Sequence, residues 1–266
     1  MEALKISGLS KIFGSGRLEV RALEDVSLSI AGGDLVALMG PSGSGKTTLL
    51  LCVSLILEPT AGTVVFDGET IYQDGWTSFD VRRLRREKIG FVFQSANLIP
   101  FLTARENVLL PQDLVGVKGE AAENRAHELL EYMEIAERAD YLPALLSGGE
   151  QQRVAIAKIL AQEPKLILGD EPVASLDVMN GALVMETLRR IASSAGLTVV
   201  STLHHVEYAR RYADRVLGLR AGRLVFDGPP AKLGGDAIRE IFGSVPEGDG
   251  EDVEAARLPE PVLVAS

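Results

Sequence analysis

Leu35-Val36-Ala37-Leu38-Met39-Gly40-Pro41-Ser42-Gly43-Ser44-Gly45-Lys46-Thr47-Thr48 is the stretch on which the fold turns. Five apolar residues read as a short buried strand, the glycine-rich run as a tight loop, and residues 48–57 as a helix. Strand, loop and helix in that order make a cradle for phosphate. Successive backbone N–H groups of such a loop point inward at phosphate oxygens, and the helix N-terminus adds its positive end. Lys46 is spaced to reach the β- and γ-phosphates of a nucleotide, and the Thr47 hydroxyl to bind Mg2+. A chance glycine-rich turn would not need both flanking elements.

Two further strings extend this reading. Leu166-Ile167-Leu168-Gly169-Asp170-Glu171 is an apolar strand that delivers two carboxylates at its end. Asp170 is the candidate Mg2+ ligand and Glu171 the candidate general base for an attacking water. Alone, such a pair is as readily a solvated turn; in one chain with residues 40–47 the metal-and-base reading is preferred. Leu146-Ser147-Gly148-Gly149-Glu150-Gln151-Gln152-Arg153 opens a helix with a Ser-Gly-Gly turn, a second anion-binding helix start. Ser147 as an ordinary N-cap explains the serine and one glycine, but not the whole string.

Elsewhere the apolar pattern predicts strands at 4–6, 26–30, 64–66, around 71, and at 89–93, with helices at 121–139 and 150–162. From residue 166 onward strands (166–168, 197–201, 216–219, 223–226) and helices (182–193, 206–212) alternate, which implies an α/β fold with a mainly parallel sheet. No internal repeat is visible. His127, on the helix at 121–139, reads as a solvated residue, since no second metal ligand is near it in sequence.

Composition bounds the function classes. Apolar residues make up 46% of the 266, enough for a large core, and the net charge of −10 argues against a nucleic-acid partner. Half of that charge sits in residues 246–266, where six acids face one arginine without a helical stripe; this reads as a solvated, disordered tail. Cys52 is the single cysteine, so no disulfide forms within the chain, in keeping with a reducing cytoplasm. The N-terminus lacks a signal pattern, and the uncharged run at 47–57 falls far short of the ~20 residues that span a bilayer.

The strings at 40–47, 146–153 and 166–171, in this order and spacing, resemble the nucleotide-binding subunits of ABC transporters over about residues 4–227. The resemblance implies a RecA-like P-loop NTPase core, an N-terminal antiparallel β part and an inserted helical subdomain at about 96–160, all within an ATPase domain at 1–240. It implies further roles. Phe13 stands where the family stacks an aromatic ring, more often tyrosine, on adenine. Gln94 matches the metal-sensing, permease-facing glutamine, and Ser175-Leu176-Asp177 the loop that crosses the dimer interface. His204 matches the switch histidine at the γ-phosphate; it is preferred to His205 because it directly follows the strand exit at 201–203. Gly169 replaces a more usual alanine, with no chemical consequence expected. Two copies are implied to pair head to tail, residues 147–149 of one closing on the ATP and Mg2+ held by residues 40–48 of the other. The dimer works beneath transmembrane permease subunits, peripherally at the cytoplasmic face of the membrane, with an extracytoplasmic substrate-binding protein as a further partner of importers.

The transporter type is read from three segments. Residues 51–62, 170–177 and 202–220 resemble the ATPases of phosphonate and phosphate importers, Val173-Ala174-Ser175-Leu176-Asp177 most tellingly. Residues 90–108 are instead similar to lipoprotein-releasing and macrolide-efflux ATPases, so import is preferred and efflux kept as the alternative. A soluble ABC ATPase acting on DNA or ribosomes is the remote alternative: such proteins carry two cassettes or a long coiled coil, and this chain shows neither heptads nor a basic stripe. The string at 146–153 excludes a plain P-loop kinase.

Overall fold

The computed structural model describes residues 2–77, 80–114 and 116–243; the acidic tail expected at 246–266 lies outside them. The chain runs β1 (Glu2–Phe13), β2 (Val20–Ala31), β3 (Leu35–Met39), α1 (Lys46–Val53), β4 (Ala61–Phe66), β5 (Glu69–Gln73), α2 (Val81–Lys88), β6 (Ile89–Val92), α3 (Ala104–Leu114), α4 (Glu120–Tyr132) and α5 (Gly148–Leu160). It continues with β7 (Leu166–Gly169), α6 (Val178–Ala195), β8 (Thr198–Thr202), α7 (Val206–Tyr212), β9 (Arg215–Arg220), β10 (Arg223–Gly228) and α8 (Gly235–Phe242).

Two sheets form. An antiparallel sheet has the order β2-β1-β4-β5, and a second sheet the order β10-β9-β3-β8-β7-β6. In the second, β9, β3, β8, β7 and β6 are parallel, and only the edge strand β10 runs against its neighbour. The expected α/β class, with an antiparallel N-terminal part and a mainly parallel sheet, is what folds.

β3 shows why this sheet sits in the middle. All five of its side chains are buried, and they alternate between two cores as the period of two requires. Leu35, Ala37 and Met39 join the core built with the helices α3 to α7. Val36 and Leu38 join the one built with α1 and the antiparallel sheet. Each fully buried aliphatic side chain contributes roughly 1.5–3 kcal/mol, so a polar residue at any position of β3 would damage one core or the other.

Boundaries differ from the sequence expectation where backbone conformation decides them. α1 spans Lys46–Val53 rather than 48–57, because Leu55 turns into the left-handed region at φ 61°. α4 ends at Tyr132 rather than 139, with Glu134 at φ 56°. α6 starts at Val178 rather than 182, since Asp177 caps it by accepting from the Asn180 N–H. Three helices, α2, α3 and α8, were not expected. α2 is Arg-rich without an apolar stripe, and α3 contains Pro111. His127 is exposed on α4, 3.3 Å from Glu131, as a solvated residue should be.

Among the described residues no helix is long and apolar enough to cross a membrane.

Candidate nucleotide site

Parallel strands end on the same side. β3, β8, β7 and β6 are consecutive neighbours, so the loops that leave them form one row: residues 40–45 after β3, Leu203 and His204 after β8, Asp170 and Glu171 after β7, and Gln94 beyond β6. Ligands of open α/β sheets bind at this carboxyl edge.

The loop after β3 is held in shape by its surroundings. Gly40 has φ 149°, and a Cβ there would lie 2.1 Å from the Leu219 carbonyl oxygen of β9. Gly45 has φ 105°, and a Cβ would lie 2.5 Å from the Ala22 carbonyl oxygen of β2. Gly222, in the turn between β9 and β10, donates its N–H to the Ser44 carbonyl at 3.0 Å. Backbone from two sheets thus presses on the loop, which is why glycine is needed at 40 and 45. Ser42, Gly43 and Thr47 are exposed, Pro41 and Thr48 half-buried, and the N–H groups at the start of α1 have no carbonyl one turn back.

Lys46 is buried at 6% exposure and donates to the Gly40 carbonyl at 2.7 Å and the Pro41 carbonyl at 3.0 Å. Burial lowers its pKa, opposed by the charges of Glu171 and Asp170. Ser44 Oγ is buried without a hydrogen-bond partner among the described residues. An orphan hydroxyl, a buried cation and free N–H groups are a donor set made for an anion.

The carboxylates close the other side. Asp170 Oδ1 accepts from Thr47 Oγ1 at 3.2 Å and from Thr202 Oγ1 at 3.2 Å. Thr47 and Asp170 are the hard oxygen donors that suit Mg2+, and no cluster of three or more His, Cys, Asp or Glu exists among the described residues. A metal here would therefore need oxygens from a phosphate and water. Glu171 sits at φ 53°, left-handed for a non-glycine residue, and its N–H donates to Thr202 Oγ1 at 2.7 Å. Its Oε1 accepts from His204 Nε2 at 2.5 Å. His205 instead sets its ring edge-on to Tyr208. Thr202 thus braces the Asp170 carboxylate and the Glu171 backbone; the sequence carries no motif for it, and only the pairing of β8 with β7 brings it there.

Gln94 follows β6 by two residues, and Phe13 ends β1. The Gln94 side chain is exposed, while the Gln94 backbone carbonyl accepts from Ser175 Oγ at 3.3 Å. The Phe13 ring, at the end of β1, is 42% exposed.

Residues 147–149 are bonded elsewhere. Ser147 caps α5 in a reciprocal box: its Oγ accepts from the Glu150 N–H at 3.3 Å, and its own N–H donates to Glu150 Oε2 at 2.7 Å. That N–H holds the Glu150 carboxyl below its ordinary pKa. Ser147 and Gly148 are exposed, but Gly149 is buried. A Cβ on Gly149 would lie 2.2 Å from Asn180 Oδ1, and Asn180 is the residue that Asp177 caps. The second glycine is thus needed for packing α5 against the start of α6, a reason that the string alone did not reveal. Gly149→Ala is expected to push Asn180 off Asp177 and destabilise the fold by about 1–3 kcal/mol; Gly148→Ala, facing only Leu176 Cδ2 at 3.2 Å, should cost much less. Urea denaturation measures both, and equal losses would refute the packing argument.

A cavity of about 550 Å3 lies apart from all this, between α4, α5 and α6; its walls include Leu129, Tyr132, Leu160 and Ile191 and carry none of the residues above.

Residues 23–174 match the family model described as ABC transporter. The chain belongs to the ABC transporter family. The match spans the loop after β3, the start of α5 and both carboxylates, and the ABC-type ATPase expected from the sequence is met. The phosphonates import ATP-binding protein PhnC 2 of Oceanobacillus iheyensis is 40% identical over 251 residues, 91% of this chain and 96% of the relative. The phosphonates import ATP-binding protein PhnC of Burkholderia pseudomallei (strain K96243) is 42% identical over 269 residues, 96% of this chain and 86% of the relative. Among solved structures, the ABC cassette MJ0796, determined as a dimer in a post-hydrolysis state bound to ADP and Pi, has a TM-score of 0.76 at 38% identity, covering 85% of this chain and 98% of that one. CbiO1 of Clostridium perfringens, part of the ABC transporter complex cbiONQ, has a TM-score of 0.79 at 29% identity, covering 90% and 92%.

Proposed function

We propose that this chain is the ATP-binding and ATP-hydrolysing subunit of a phosphonate importer. The observation that carries the reading is the convergence of Lys46, Thr47, Asp170, Glu171 and His204 at one sheet edge, in a chain about 40% identical over most of its length to ABC subunits named for phosphonates import.

Backbone N–H groups of residues 40–48 and Lys46 hold the phosphates of ATP, and Phe13 stacks on the adenine. Thr47 and Asp170, with Gln94, hold Mg2+, which supplies positive charge against the phosphate oxygens when bound. Glu171 accepts the proton of the attacking water, and His204 fixes the Glu171 carboxylate. Two copies pair head to tail, so that Ser147, Gly148, Gly149 and Asp177 of one reach the nucleotide of the other; that the MJ0796 cassette is a dimer supports the pairing. The dimer sits on permease subunits at the cytoplasmic face of the membrane and receives cargo from an extracytoplasmic binding protein.

Reconstitution with permease subunits and a binding protein of the phosphonate-import type tests the cargo. Vesicles should accumulate a labelled alkylphosphonate in an ATP-dependent manner, with ATP turnover raised severalfold by the loaded binding protein. Turnover raised by a lipoprotein or a macrolide instead would replace import with efflux, the reading that residues 90–108 suggested.

A further inference from the structure

Lys11 and Phe13 are two residues apart on β1 and therefore share a face. Lys11 Nζ stands 5.1 Å from the centroid of the Phe13 ring. The ammonium is anchored there, since it donates to the Glu58 carbonyl at 2.7 Å. Glu58 lies in the segment that leaves α1, the helix of the phosphate loop. Two more bonds join the same pieces: the Ile12 N–H donates to Thr60 Oγ1 at 3.0 Å, and the Thr60 N–H to the Ser10 carbonyl at 2.8 Å. On its other edge β1 pairs with β2, Lys11 opposite Leu23 and Phe13 opposite Val20. Ala22 and Leu23 supply the atoms that a Cβ on Gly45 would strike. The Phe13 ring is thus tied to the phosphate loop through both flanks of β1.

Lys11 crosses this frame to a ring that has no hydroxyl by which to be oriented. A cation over one face of an aromatic ring is held by the ring's quadrupole and draws π density toward itself. The opposite face becomes a better partner for an electron-rich heterocycle. A lysine that merely laid its stem along a strand end would support stability but would not distinguish a base from bare phosphates.

We infer that Lys11 is a positioning residue for the nucleotide base: pinned on the Glu58 carbonyl, it holds and polarises the Phe13 ring so that the ring's open face stacks on the adenine of bound ATP. The inference rests on the reading of Phe13 as the base-stacking residue.

Calorimetric titration of the full chain with Mg-ATP and with Mg-tripolyphosphate, which has the phosphates and no base, tests it. Phe13→Ala should weaken ATP about tenfold or more and leave tripolyphosphate unchanged. Lys11→Met should weaken ATP about threefold, again without effect on tripolyphosphate, whereas Lys11→Arg should keep ATP affinity because a guanidinium serves the same ring. In the Phe13→Ala background, Lys11→Met should change nothing further. If Lys11→Met leaves ATP affinity intact while Phe13→Ala weakens it, or weakens ATP and tripolyphosphate alike, the role assigned to Lys11 is overturned. If Phe13→Ala has no effect, the base-stacking reading itself falls, and the role of Lys11 with it.

Discussion

Glu171→Gln is expected to bind ATP as the unaltered chain does and to hydrolyse it at least about 100-fold more slowly, the lower end of what a positioned general base contributes. The substitution is nearly isosteric. His204 keeps a hydrogen-bonding oxygen at the position where Glu171 Oε1 now accepts from it. The backbone bond from the Glu171 N–H to Thr202 Oγ1 does not involve the side chain. Asp170, Thr47 and Lys46 are untouched, so phosphate binding should persist. What disappears is the ability to take a proton from water, because an amide is not a base at neutral pH. Single-turnover measurement of phosphate release, with binding followed separately by a fluorescent ATP analogue, distinguishes the two. A rate within threefold of the original would remove Glu171 from the chemistry.

Slow hydrolysis exposes the second large effect. Glu171→Gln protein should double its mass with Mg-ATP and remain monomeric with ADP. Adding Ser147→Arg should abolish that doubling while nucleotide binding by the monomer survives. In the single chain, Ser147 exchanges hydrogen bonds with Glu150 and accepts from the Gln151 N–H of the same helix, and Gly149 is backed by Asn180 of α6. The residues at the start of α5 are therefore occupied with their own helix and its neighbour. Ser147 and Gly148 remain exposed, and a nucleotide carried by a second copy is what they can meet. Arginine adds bulk and charge on that exposed side alone. Losing the Ser147 hydroxyl also costs the helix cap, about 1 kcal/mol, so Ser147→Ala serves as the control for stability. Light scattering in line with size exclusion reads the masses. A dimer that still formed in the Ser147→Arg protein would overturn the head-to-tail arrangement.

Much of the site was legible because it is written in local strings. A strand, a glycine-rich loop and a helix start occupy fifteen or so consecutive residues in such proteins, and here the spacing of Gly40, Gly45, Lys46 and Thr47 suffices. The carboxylates at 170 and 171 were legible for the same reason, both following directly on an apolar strand. What local reading could not supply came from contacts between distant segments. Thr202 touches Asp170 and Glu171 only because β8 lies beside β7. Gly149 looked like a residue for binding phosphate, yet its buried side is explained by Asn180, thirty-one positions on. Gly222 braces Ser44 across most of the length of the domain. The missed helices have a different cause. α2 carries four arginines and a lysine in eight residues, and its only apolar positions are Val81 and Leu84, so no stripe announces it. α3 carries Pro111 inside it, a residue that disfavours a helix interior, and packing against α5 and α4 nevertheless holds it.

The left-handed backbone at Glu171 puts two kinds of selection at odds. A glycine would adopt φ 53° without a Cβ penalty, so a directed-evolution campaign scored only on heat resistance would tend to recover glycine at this position and, on the proposed role of Glu171, an enzyme without its base. The role proposed for Glu171 demands the carboxylate; the conformation favours its removal. If Glu171 is the base proposed above, the chain is one substitution from a hardier molecule that grips ATP and does nothing with it, and any programme to toughen this transporter subunit must score turnover alongside melting.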